Sequence, residues 1–81
     1  MKLIRENMPN HGVRFKFKEG ARFVYDWVDP INEFHETETQ YIVNNHSNDC
    51  PFDKSEVISY FIYEIGKNDY DYEVEEVKNE M

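Results

Sequence analysis

Eighty-one residues make one domain, residues 1–81, with room for a single hydrophobic core. A hydrophobic content of 40% with six Phe, six Tyr and one Trp excludes a disordered acidic tail. The net charge of −8 repels nucleic acid and anionic membrane at long range and favours basic protein surfaces. That charge is unevenly spread. The first 22 residues hold six of the nine cations and two of the 17 carboxylates, a net +4, which leaves −12 for residues 23–81. The single cysteine, Cys50, excludes an internal disulfide and fits a reducing compartment. Only Leu3 and Ile4 precede the first charged run, too little for a signal peptide, and no apolar stretch is long enough to span a membrane. A soluble cytoplasmic protein is expected.

In chain order, residues 2–6 suit a short strand, followed by turn chemistry at Pro9-Asn10-His11-Gly12. Val13, Phe15 and Phe17 alternate with Arg14, Lys16 and Lys18, the period-2 pattern of a strand with one wet face. Glu19-Gly20 suits a hairpin turn. Phe23, Tyr25 and Trp27 then alternate with Arg22, Val24, Asp26 and Val28 until Asp29-Pro30 ends the strand. A third strand is expected over 35–43, with Thr37, Thr39, Tyr41 and Val43 on one face and Glu36, Glu38, Gln40 and Ile42 on the other. Residues 44–51 have the composition of a loop.

The next segment predicts a helix over 54–65. Asp53 and Glu56 match a capping box, and Phe52 and Val57 match a hydrophobic staple. Val57, Ile58, Phe61, Ile62 and Ile65 fall on one stripe of a 3.6-residue period, and Gly66 suits a left-handed stop. In the last segment, Tyr70, Tyr72 and Val74 alternate with Asp71, Glu73 and Glu75, which favours a strand over 70–75. The expected architecture is therefore α+β: a small two-layer domain of order β-β-β-α-β. Its antiparallel sheet of three to four strands lays an aromatic face (Phe15, Phe17, Phe23, Tyr25, Trp27, Tyr41) against one helix.

Four groups of residues invite a functional reading. On a terminal strand, Asp71, Glu73 and Glu75 project at roughly 6.5–7 Å intervals, close to the phosphate spacing along one DNA strand. Glu36, Glu38, Asp69, Glu76 and Glu80 extend that surface; the alternative is an ion-pair face shared with Arg14, Lys16 and Lys18. His46 and Cys50, with His11 or His35, form only one close-spaced pair where zinc sites normally have two, so no metal is expected. No carboxylate is clearly desolvated for acid–base work, and Asp26, inside the densest aromatic run, is placed outward by the alternation. With three glycines, phosphate-cradling loops are absent as well. Neither an enzyme nor a cofactor is expected. Tyr70 and Tyr72, set among carboxylates, suit contact with an Arg/Lys-rich partner through stacking and cation–π attraction.

Small size, strong acidity, abundant aromatics and the Tyr/Asp/Glu ending together give a chain that resembles the small acidic inhibitors encoded by bacteriophages, the anti-CRISPR proteins and other DNA mimics. The resemblance covers the whole chain in size, charge and element order, and the basic first strand departs from a uniform mimic. It implies inhibition of a basic nucleic-acid-binding protein (a nuclease or CRISPR effector) in the host cytoplasm. The implied role needs no direct contact with nucleic acid or membrane, and the protein would act as a monomer or homodimer. The contact patch is expected at Asp69, Tyr70, Asp71, Tyr72, Glu73, Glu75 and Glu76, with Glu36 and Glu38. Two other readings fit the same charge: an immunity protein or antitoxin that neutralises a basic nuclease toxin, and a structural homo-oligomeric module joined through a sheet edge.

Overall fold

The structure, a computed structural model, describes residues 1–21, 24–46, 48–66 and 73–78, the stretch 73–76 by its backbone. Eight strands account for most of them: β1 Lys2–Met8, β2 His11–Phe17, β3 Tyr25–Val28, β4 Ile31–Glu36, β5 Gln40–Asn45, β6 Asn48–Asp53, β7 Val57–Glu64 and β8 Glu73–Lys78. They form two four-stranded sheets of order β1-β4-β5-β6 and β3-β2-β7-β8, with every pairing antiparallel. The chain crosses between the sheets three times: after β1, at Asp29-Pro30, and through a single 3₁₀ turn, Lys54–Glu56.

The expected α+β architecture is overturned, because the described residues contain no α-helix and their second layer is another sheet. The segment expected as helix 54–65 is the 3₁₀ turn followed by β7. Asp53 makes no side-chain cap bond; its Oδ1 instead accepts a hydrogen bond from Gln40 Nε2 at 3.1 Å. Val57-Ile-Ser-Tyr-Phe-Ile-Tyr63 is composed almost wholly of β-branched and aromatic residues, which suit a pleated surface better than a helix. Both faces of β7 are covered: Tyr60 and Ile62 enter the core, while Ser59 and Phe61 are buried on the opposite face. A strand buried on both faces loses its period-2 signature, so the helical stripe is a coincidence of a continuous apolar run.

Other boundaries shift for local reasons. The single strand expected over 35–43 is the β4–β5 hairpin, bent where Thr37 Oγ1 accepts from the backbone N–H groups of Thr39 (3.2 Å) and Gln40 (2.9 Å). The loop expected over 44–51 is the β5–β6 hairpin. Its outer strand tolerates Pro51 because β6 is a sheet edge and needs no donor on its free side. β1 runs two residues further than 2–6. β8 is a strand over 73–78, so the strand expected over 70–75 is met at 73–75 and runs on to 78, while residues 70–72 fall outside the described residues.

The core is aromatic, with a different membership from the expected face. Phe15 is fully buried at its centre, edge-on to Phe34 at 6.0 Å and stacked on Phe52 at 4.3 Å; Tyr41 and Tyr60 complete the ring of neighbours. Such pairs add about 0.5–1.5 kcal/mol each to the burial of ring area. The phase of β3 is inverted relative to the expectation. Phe15 pairs with Asp26 and Val13 with Val28, so Asp26 and Val28 face the other sheet. Tyr25 and Trp27 lie on the outer face, Trp27 being exposed, and Phe23 is outside the described residues.

Gly12 is required by packing. A Cβ there would lie 2.5 Å from Tyr63 Oη and 2.7 Å from Asp29 Cβ, and Tyr63 Oη donates to Asp29 Oδ2 at 2.8 Å. Gly12→Ala is expected to part that pair and cost about 1–3 kcal/mol, as overpacked sites do. Urea unfolding checks this, and the loss should shrink when Tyr63→Ala first clears the space.

Candidate partner-binding surfaces

The nine residues expected at a partner surface do not form one continuous described patch. Asp69, Tyr70, Asp71 and Tyr72 lie outside the described residues. Glu73, Glu75 and Glu76 belong to β8, the edge strand beside β7, where they pair with Tyr63, Ile62 and Phe61. The register shifts between Glu75 and Glu73, which interrupts the regular two-residue spacing of an ideal ladder along this strand. Glu38 is exposed in the β4–β5 turn. Glu36 is half-buried and paired with Lys54 Nζ, whose side chain is itself buried 5.1 Å from the centre of the Tyr41 ring. It closes one end of the core, and its charge is largely spent there.

The basic first segment is divided between the two sheets. Arg14 is buried, its guanidinium 4.4 Å from the Phe61 ring centre and 4.8 Å from that of Tyr25, so this cation is used in packing on the outer face of β2. Lys16 is half-buried on the same strand. Lys2 pairs in register with Glu36 on the first sheet. Arg14 and Lys54 therefore do little to offset the exposed anions.

A row of three carboxylates and one amide crosses the outer face of the first sheet. Glu6, Glu33, Asn44 and Asp49 follow one another in register over β1, β4, β5 and β6, next to the inward-facing Phe34 and Val43. Glu6 and Glu33 oppose each other directly, an arrangement that costs a few tenths of a kcal/mol, up to about 1, when like charges meet across strands. Asn44 Nδ2 donates to Asp49 Oδ1 at 2.8 Å, and His35 Nε2 lies 3.3 Å from Glu33 Oε1. Sequence reasoning missed this row because it depends on β6, and the polar stretch around residues 44–49 carries no strand signal.

A second acidic feature lies where β3 and β6, the edges of opposite sheets, leave the sandwich open. Asp26, Asp53 and Glu56 surround a groove of about 360 Å³ whose apolar wall comes from Phe17, Phe52 and Pro51, with Gln40 completing the lining. Asp26 was expected to face solvent; the inverted phase of β3 turns it into this gap, half-buried.

The histidines and cysteine stay apart: His11 is on β2, His35 on β4, His46 in the β5–β6 turn and Cys50 on β6. Among the described residues no three His, Cys, Asp or Glu side chains come together in a way that could hold a metal. Burial, then the negative charges of Asp26 and Asp49, push the Cys50 thiol above its ordinary value. Burial, then Glu36, raise the Tyr41 hydroxyl. Both groups bind their proton more tightly folded than unfolded. Their contribution to stability is therefore complete below the unfolded values and disappears as pH rises through the folded ones. Stability is expected to fall above about pH 9. It should fall less steeply in Tyr41→Phe or Cys50→Ala, measured by urea unfolding at a series of alkaline pH values.

No helix among the described residues is long and apolar enough to cross a membrane. Comparison with protein-family models, curated proteins and solved structures finds no match to the chain.

Proposed function

We propose that the protein is a non-enzymatic inhibitor, of the anti-CRISPR or DNA-mimic kind, that binds a basic nucleic-acid-binding protein and occupies the groove meant for nucleic acid. The observation that carries this reading is the imbalance of exposed charge. Seventeen carboxylates face nine cations, and two of those cations, Arg14 and Lys54, are buried in internal contacts. Glu6, Asp29, Glu38, Asp49, Asp53 and Glu56 are all exposed. The row Glu6–Glu33–Asn44–Asp49 and the segment Asp69 to Glu76 supply two stretches of negative charge that a phosphate-binding surface would attract. Like charges placed directly opposite, as Glu6 and Glu33 are, cost stability unless a cationic partner covers them.

An inhibitor of this kind acts in the cytoplasm, needs no cofactor, and associates fast and in a salt-sensitive way. Capture of bacterial lysate proteins on the immobilised protein, repeated with excess duplex DNA, tests the reading. A bound nucleic-acid-binding protein that DNA releases is the expected result. Partners that neither DNA nor salt displaces would contradict it.

A further inference from the structure

We propose that the groove between β3 and β6 takes the guanidinium of an arginine side chain presented by the protein's partner. The inference rests on the reading of the protein as a binder of basic surfaces and assigns it a specific contact point.

The groove combines two features that select the same ligand. Among the described residues that line it, every charge is negative: Asp26, Asp53 and Glu56 contribute carboxylates, and none is a lysine or arginine. Asp26 Oδ1 accepts from the Trp27 backbone N–H at 2.8 Å and Asp53 Oδ1 from Gln40 Nε2 at 3.1 Å. One oxygen of each carboxylate is thus anchored, and the other has no hydrogen-bond partner among the described residues. The wall is aromatic: Phe17 and Phe52 have ring centres 6.1 Å apart and planes inclined at 33°, and Phe52 is held in place by its stacking on Phe15. A ligand here meets the apolar side chains of Phe17, Phe52 and Pro51 together with the carboxylates.

A small metal ion does not suit this arrangement, since the carboxylates do not converge as ligands among the described residues. Arginine does. Its planar guanidinium stacks on aromatic faces while its five N–H donors reach separated carboxylates, and it is less strongly hydrated than an ammonium. The volume is at the small end of ligand pockets, about 300–1,000 Å³, suited to one long side chain. The contrast within the molecule is instructive. A second hollow, about 260 Å³ and lined by Asn7, Pro9, Pro30, Ile31, Asn32 and His46, has no carboxylate among the described residues that line it and therefore no comparable preference for a cation.

The test is a ¹⁵N-NMR titration of the intact protein with the blocked tripeptide acetyl-Gly-Arg-Gly-amide, beside its lysine and citrulline counterparts. The arginine peptide should shift the amides of Phe17, Asp26, Phe52 and Asp53. The lysine peptide should bind several-fold more weakly, and citrulline, similar in shape but uncharged, should give no saturable shift. Asp26→Asn with Glu56→Gln should weaken the arginine peptide at least tenfold, whereas Glu64→Gln, at the end of β7 that pairs with His11, should leave it unchanged. Equal binding of citrulline, lysine binding as tightly as arginine, or shifts centred elsewhere would overturn the proposal; these readouts use the unaltered protein and do not depend on how a variant folds. Failure here beside continued capture of a DNA-released partner removes the groove assignment alone. Arginine binding without any such partner leaves the groove assigned and removes the wider reading.

Discussion

Phe15→Ala is expected to bring the domain close to unfolding at 25 °C. Phe15 has no solvent exposure and packs against Phe34, Tyr41, Phe52 and Tyr60, which reach it from both sheets. Truncating a buried phenylalanine costs about 3–5 kcal/mol, against a total of roughly 5–15 kcal/mol for a typical domain. In a chain of 81 residues the midpoint of thermal unfolding should fall by more than about 10 °C. Val24→Ala, at a strongly exposed side chain, should change stability by less than about 0.5 kcal/mol. Circular dichroism with heating measures both. A Phe15→Ala protein that melts within a few degrees of the parent would mean that the two sheets do not share this core.

Replacing Asp71, Glu73 and Glu75 together by lysine should abolish partner binding. The three reversals take the net charge from −8 to −2 and set three cations against a basic surface. Attraction becomes repulsion at each position, and a loss of at least about a hundredfold in affinity is expected, part of it in the association rate. The same reversals at Glu6, Glu33 and Asp49 test the row on the first sheet, and comparing the two sets locates the face that docks. Glu36→Lys differs in kind. It places a like charge beside the buried Lys54 and should register chiefly as lost stability. Surface plasmon resonance with the captured partner, paired with unfolding of each variant, separates the two effects. Unchanged affinity in both reversed proteins would exclude electrostatic docking.

The part of this fold most legible in the sequence is the strand whose residues alternate in polarity. Val13-Arg-Phe-Lys-Phe17 alternates cleanly and β2 lies there, although its outer face is not the wet one expected, since Arg14 is buried beside Tyr25 and Phe61. Asp29-Pro30 ends β3 for the reason proline always imposes. β7 was hidden because both its faces are covered, leaving Val57 to Tyr63 without alternation, and the acidic and hydrophobic residues around Asp53 imitate a helix start. β6 was hidden because an edge strand needs neither a full apolar face nor every donor, so Asn48-Asp-Cys-Pro-Phe-Asp53 reads as loop. These two strands determine the rest of the architecture. Once β7 is a strand, the layer covering Phe15 has to be the sheet built from β4, β5 and β6.

The sign of the surface charge was legible and its arrangement was not. Net charge and its bias toward the later chain can be counted from the residues. Which carboxylates share a surface depends on strand register. Glu6 and Asp49 are 43 positions apart in sequence and fall in one row only because β1 and β6 flank the same hairpin. Asp26 was placed outward because Tyr25 and Trp27 looked like core. Both lie on the outer face instead, where the Arg14 guanidinium is set over the Tyr25 ring and Trp27 packs beside Tyr25.

The central claim is that this protein and nucleic acid exclude each other from one groove of a partner. Fluorescence anisotropy of a labelled duplex bound to the purified partner, titrated with this protein at two salt concentrations, tests it most directly. Complete release of the duplex, needing more of this protein at the higher salt, is the result the account predicts. A stable ternary complex with the affinity of the duplex unchanged would contradict it.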